Sequence, residues 1–138
     1  YDMIFIHFDN VDRVGHQSGF TPNNSDYINA IKVVDSQINR ILNVINSRIN
    51  RENEEWLIAI TTDHGGNEKS HSKRIKENQT IFLILNGDGI SSGEISENSE
   101  TSVSHMDVFP SVLEYLRLGF NGDYDLDGRS RLQWEKTP

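Results

Sequence analysis

The residues most able to do chemistry are a set of aspartates and histidines. Asp12-Arg-Val-Gly-His16 places a carboxylate four residues before an imidazole. One helical turn at that spacing brings both to one face, about 5–6 Å apart at Cβ. That is close enough to share a cation at bond lengths of about 2.0–2.2 Å. Taken alone, the same spacing fits a solvated loop. Asp63-His64 leaves the end of a buried strand, between Thr62 and Gly65-Gly66, where glycine lets the backbone approach a ligand closely. Its plain alternative is a polar strand-end turn. His71 follows in the same loop and can act as a third donor beside Asp12 and His16. His105 is the rival for that place. The chain has no cysteine, so any metal must be held by His and carboxylate. Asp12, His16 and His71 group on one divalent ion, Asp63 and His64 on a second. Two such ions about 3.5–4 Å apart stabilise the attacking and leaving oxygens of an in-line displacement at phosphorus.

The motifs around these residues resemble the alkaline phosphatase superfamily. Phe8-Asp-Asn-Val-Asp-Arg-Val-Gly-His-Gln-Ser-Gly19 is similar to its D-x-x-G-H-x-x-G region, and Thr61-Thr-Asp-His-Gly65 to its T/S-D-H-G motif. His105-Met-Asp-Val-Phe-Pro-Ser-Val-Leu-Glu-Tyr-Leu116 resembles its D-I-x-P-T-x-L-x-x-L-G segment, and Leu126-Asp-Gly-Arg-Ser130 its D-G-x-S ending. The likeness looks closest to the type I phosphodiesterase/nucleotide pyrophosphatase branch. It implies that Asp12 and His16 bind the metal that handles the attacking water and the incoming phosphoryl group. It implies that Asp63 and His64 bind the metal that activates the nucleophile, and that His71 completes the first site. The family's histidine is often followed by Gly, whereas Ser72 stands here. The implied cofactors are two divalent ions, Zn²⁺ by ligand type, with Mn²⁺ or Fe fitting similar donors. The implied function is hydrolysis of a phosphate ester. The family's Thr or Ser nucleophile lies upstream of D-x-x-G-H, and nothing in this chain matches it. The chain alone is therefore expected to be inactive. The alternative is a non-catalytic metal-binding or scaffold module, and a sulfatase-like hydrolase shares the same metal frame.

The elements that would position these residues follow from the apolar pattern. Asp2–Phe8, Trp56–Ile60 and Thr80–Leu85 read as short buried strands. Ile28, Ile31, Val34, Ile38, Ile41, Leu42, Val44, Ile45 and Ile49 recur at three- and four-residue steps, which predicts a long helix capped by Ser25 or Asp26 and running to about Arg51. Asp107 reads as the N-cap of a second helix, with Pro110 in its first turn and Gly119 at its end. A short strand is expected near Ile95. The continuous apolar strands predict an α/β fold, a mostly parallel sheet with helices on its faces, as a partial alkaline-phosphatase-like core. His7 falls in the first strand, and Asp9 is a turn residue or a partner that orients His16.

The 138 residues fit a single domain, expected to be the C-terminal portion of a longer catalytic domain because Tyr1 opens directly into a strand-like run. The net charge of −8 argues against binding a nucleic-acid duplex but not against an anionic phosphate-ester substrate once cations are bound. No apolar run reaches the roughly 20 residues of a membrane span. Half of a sheet leaves an open edge, so self-association is expected. Asp123-Tyr-Asp-Leu-Asp-Gly128 mimics the start of a calcium loop, but its twelfth position is Trp134 rather than Glu. No Gly-x-Ser-x-Gly elbow points to serine hydrolase chemistry.

Overall fold

In a computed structural model the described residues are 2–95, 102–119 and 125–135. Their elements are α1 (Asn10–Ser18), α2 (Ser25–Asn46), β1 (Leu57–Thr61), α3 (Lys76–Gln79), β2 (Leu83–Gly87) and α4 (Val108–Tyr115). Short 3₁₀ turns lie at Arg51–Asn53 and His105–Asp107. No helix among these residues is long and apolar enough to cross a membrane.

The parallel sheet predicted from the sequence is not found among the described residues. β1 and β2 form a two-stranded antiparallel sheet with Leu57 opposite Gly87, Ala59 opposite Leu85 and Thr61 opposite Leu83. An apolar run reports how deeply a strand is buried, not which way its neighbour runs. Asp2–Phe8 is not a strand either. Met3, Ile4, Phe5 and Ile6 are exposed, Phe5 to 82%, and His7 is exposed with them. A strand exists only with a partner for its N–H and C=O groups, and none of the described residues pairs with this run. No strand forms at residues 91–95, and residues 96–101 lie outside the described set. The calcium-like stretch is only partly described, since Asp123 and Tyr124 fall outside it.

The chain divides into two compact units. The first is Tyr1–Arg51 with His64–Thr80. Its frame is α1 packed on α2. Along α2 the covered side is Tyr27, Ala30, Val34, Ile38, Ile41 and Ile45, at three- and four-residue steps. Ile31 and Val44 lie outside that stripe and are exposed, and Ile49 lies beyond the helix end. The cap is Asn24, not Ser25 or Asp26. Its Oδ1 accepts from the Asp26 and Tyr27 N–H groups, while its Nδ2 donates to Ser18 Oγ at 2.8 Å and Gly19 O at 2.9 Å. One amide side chain thus opens α2 and fixes the end of α1 against it.

The second unit is Glu52–Asp63 with Ile81–Pro138. Here α4 packs on β1. Tyr115 donates from its hydroxyl to Trp56 O at 2.9 Å, and its ring stacks on Trp134. Pro110 is fully buried in the first turn of α4, where its missing N–H costs no helical bond. The helix ends at Tyr115, before Gly119. Arg117 takes a left-handed φ of 55°, and the Leu118 N–H reaches back to Leu113 O at 3.0 Å, as in a Schellman stop.

Asp107 does more than cap. It forms a capping box with Ser104, accepts the Arg129 N–H at 2.9 Å, and pairs with Arg131 Nε at 2.7 Å. Ser111 donates to Asp107 O and accepts the Arg131 N–H. Burial alone would raise the Asp107 pKa, but the backbone donors and the guanidinium outweigh it and hold the carboxyl below its ordinary value.

Candidate metal centre

α1 does for Asp12 and His16 what the four-residue spacing predicts. Both side chains leave one face, and His16 Nε2 stands 3.5 Å from Asp12 Oδ2. The loop after His64 then brings His71 to them. His71 Nε2 lies 3.1 Å from His16 Nε2 and 3.7 Å from Asp12 Oδ1. One donor atom from each of the three residues falls within 4.8 Å of the others. His105 is not a member of this group. It opens the 3₁₀ turn that precedes α4.

The loop is held by backbone and small polar groups. The Phe20 N–H donates to Glu68 O at 2.6 Å, and Asn67 and Ser70 pair as an isolated bridge. The Gly65 N–H donates to Asn78 O, and the Asn78 side chain, in a buried residue, donates to Lys73 O. A Cβ at Gly65 would overlap Glu77 O, so this approach of backbone to backbone needs glycine.

Hydrogen bonds to carbonyl groups set the histidine tautomers. A carbonyl only accepts, so His16 Nδ1, 2.9 Å from Lys69 O, carries the proton. In the neutral ring the His16 Nε2 lone pair is then free and faces Asp12 and His71. His64 is arranged the same way, with Nδ1 donating to Gly65 O at 2.8 Å. Its ring stacks on that of His71 with centroids 3.7 Å apart. Metal-binding histidines are commonly oriented by such a bond on the other ring nitrogen.

The donor set fits a divalent cation on three grounds. Ligand bonds of about 2.05 Å in a tetrahedral site put donor atoms roughly 3.3 Å apart. The two imidazole nitrogens are 3.1 Å apart, near that value, and Asp12 brings Oδ2 to 3.5 Å from His16 and Oδ1 to 3.7 Å from His71, so one carboxylate oxygen can join both nitrogens on an ion. Asp12 Oδ1 is shut off from solvent and has no hydrogen-bond partner, which is costly unless an ion meets it. Among the described residues the group numbers three ligand residues, the number of protein ligands commonly found in catalytic zinc sites.

Asp63 lies just beyond β1 and ends the first segment of the second unit, and His64 opens the second segment of the first. Asp9 precedes α1 in the N-cap position but makes no side-chain cap bond. Sequence reasoning did not find Phe20 or Tyr27. Phe20 packs edge-on to His16 and Tyr27. Burial pushes the Tyr27 phenol above its ordinary pKa, and the Asp12 carboxylate adds to the shift. The only sequence hint was their place between α1 and the first turn of α2.

Comparison with known proteins agrees with this site. Residues 1–119 match the metalloenzyme superfamily, and the chain belongs to it. Over 137 residues it is 31% identical to the 2,3-bisphosphoglycerate-independent phosphoglycerate mutase of Metamycoplasma hominis, covering 96% of this chain and 24% of that protein. It is 28% identical over 132 residues to 2,3-bisphosphoglycerate-independent phosphoglycerate mutase 2 of Methanosarcina barkeri, covering 96% and 23%. It is 25% identical over 130 residues to GPI ethanolamine phosphate transferase 1 of Aspergillus fumigatus, covering 94% and 11%. The chain spans about a quarter or less of the length of these curated relatives. No solved structure matches it.

Proposed function

We propose that the protein is a metal-dependent enzyme that cleaves a phosphate ester, and that this chain is the C-terminal portion of its catalytic domain. The observation that carries the reading is the convergence of Asp12, His16 and His71 donor atoms within 4.8 Å. Asp63 and His64 are proposed as ligands of a second ion, on the strength of the Asp-His-Gly motif. Divalent cations, Zn²⁺ by donor type, supply positive charge that polarises a phosphoryl oxygen and lowers the pKa of bound water.

The chain's own residues prepare that chemistry. Lys69 O holds the proton of His16 on Nδ1, so Nε2 stays a lone-pair donor. Gly65 O does the same for His64. Asp12 keeps an unpartnered oxygen directed at His71. No residue here matches the nucleophile of the resembling family, so the isolated chain is proposed to turn over little or no substrate.

Hydrolysis is the reading that the motifs favour, through their likeness to the phosphodiesterase/nucleotide pyrophosphatase branch. Transfer to a second hydroxyl is the alternative, and the mutases and the phosphate transferase among the relatives support it. Both begin with the same P–O cleavage and differ in the acceptor. The test is to assay the whole protein with Zn²⁺ on a chromogenic phosphodiester and a phosphomonoester, with and without an added alcohol acceptor. Metal-dependent release, lost in Asp12→Asn, supports the reading. Ester cleavage indifferent to chelator and to Asp12→Asn would refute it.

A further inference from the structure

Two glycines of the metal-bearing motifs enclose one aromatic ring. Gly15 directly precedes His16, and Gly66 opens the segment that leads to His71. A Cβ built on Gly15 would overlap Cε1, Cδ1 and Cζ of Phe20, and one built on Gly66 would overlap its Cγ, Cδ1 and Cδ2. Both glycines have φ outside the left-handed region, so backbone conformation does not demand them; space does.

The ring in that slot meets both histidines. Its centroid lies 5.3 Å from that of His16 at an interplanar angle of 82°, and 6.3 Å from that of His71, also at 82°. Tyr27 closes another side at 5.7 Å and 70°. Edge-to-face contacts at these distances are the favoured geometry for aromatic rings, and they constrain orientation as well as position. The backbone fixes the ring in turn. Gly19 turns the chain out of α1 at φ 112°, and the Phe20 N–H donates to Glu68 O, next to the Lys69 carbonyl that orients His16.

We propose that Phe20 is the positioning residue of the metal centre: its ring sets how the His16 and His71 imidazoles face each other, and Gly15 and Gly66 lack side chains in order to admit it. The proposal rests on Asp12, His16 and His71 being metal ligands. It goes further by assigning a role to a residue that touches no metal, and a reason to a glycine in each of two motifs.

Phe20→Leu keeps an apolar filler in the slot but removes the flat edge. The protein is tested for Zn²⁺ affinity by chelator competition, for the visible spectrum of its Co²⁺ form, and, without metal, for histidine tautomers by long-range ¹H–¹⁵N NMR. The expected result is a folded variant with roughly 10–100-fold weaker Zn²⁺ binding, the range for altered partners of a ligand, an altered Co²⁺ spectrum, and His16 no longer fixed as its Nδ1–H form. Gly15→Ala is expected to do the same. If Phe20→Leu keeps wild-type Zn²⁺ affinity, Co²⁺ spectrum and tautomer, Phe20 is only a core filler and the proposal is overturned. If the wild-type protein binds no Zn²⁺, the ligand reading fails by itself. The metal-free tautomers then decide the role of Phe20: loss of the His16 Nδ1–H form in the variant upholds it, and no change overturns it.

Discussion

His16 and His71 present their Nε2 atoms to each other at 3.1 Å, from positions 55 residues apart in the chain. The His16 tautomer is fixed by Lys69 O, so in the neutral pair only a proton on His71 can bridge the two nitrogens. A divalent cation would take the place of that proton, held by both Nε2 atoms with His71 protonated on Nδ1 instead, and would meet the orphaned oxygen of Asp12.

A cation that binds only the folded chain must stabilise it. At a free metal concentration about 100-fold above Kd the gain is about 2.7 kcal/mol. Zn²⁺ is expected to raise the thermal midpoint of the protein and excess EDTA to reverse the rise. The same titration on His16→Ala should give a shift near zero. An equal shift in both proteins would place the bound metal elsewhere.

The Asp107–Arg131 pair gives stability with a defined pH dependence. The folded pKa of Asp107 lies below its unfolded value, because the Arg129 and Ser104 N–H groups and Arg131 outweigh burial. Its contribution is therefore fully present above the unfolded value of about 3.9 and is lost as pH falls through the folded value. Both side chains are almost wholly buried, so Arg131→Met alone should cost about 3–5 kcal/mol by leaving an unpaired carboxylate. Denaturant midpoints measured from pH 7 down to pH 2 check both statements. An acid dependence as steep in Arg131→Met as in wild type would contradict the pairing.

Asn24 links α1 to α2 through four hydrogen bonds: two accepted from the Asp26 and Tyr27 N–H groups, and two donated to Ser18 and Gly19. Asn24→Ala should lower stability by about 1–2 kcal/mol. It should also weaken metal binding, because Ser18 and Gly19 end the helix that carries Asp12 and His16. Calorimetry of apo and Zn²⁺ forms separates the two effects. Wild-type stability in the variant would rule out the cap.

Among the described residues β1 and β2 form a two-stranded sheet, with Ile84 exposed in β2 and Phe82 exposed just before it. Exposed strand edges pair with other chains. The 138-residue chain is expected to associate as its concentration rises, and Ile84→Lys to reduce that association. Sedimentation velocity showing a clean monomer at high concentration in the unmodified chain would count against this.

The sequence announced Asp12 and His16 because their pairing is local: four residues in one helix, readable from spacing alone. His71 was legible only as a neighbour of His64, since its approach to His16 is a loop closure that no short pattern encodes. Phe20 escaped because its role depends on two glycines 51 residues apart folding around one ring. Arg131 escaped for a similar reason, pairing with Asp107 across 24 positions. The long helix was readable from its period, but its end at Asn46 rather than Arg51 was not. Sheet direction was misread because Leu57–Ile60 and Leu83–Leu85 look the same in parallel and antiparallel pairs. Met3–Ile6 is apolar and β-rich, but it finds no partner strand among the described residues and forms no sheet with them.

Asp12, His16 and His71 converge as the ligands proposed for one metal centre. Isothermal titration of Zn²⁺ into wild type, His71→Ala and His105→Ala tests it most directly. The structure predicts that His71→Ala binds at least tenfold more weakly and that His105→Ala binds as wild type does. Wild-type binding by His71→Ala, with the loss falling on His105→Ala, would contradict it.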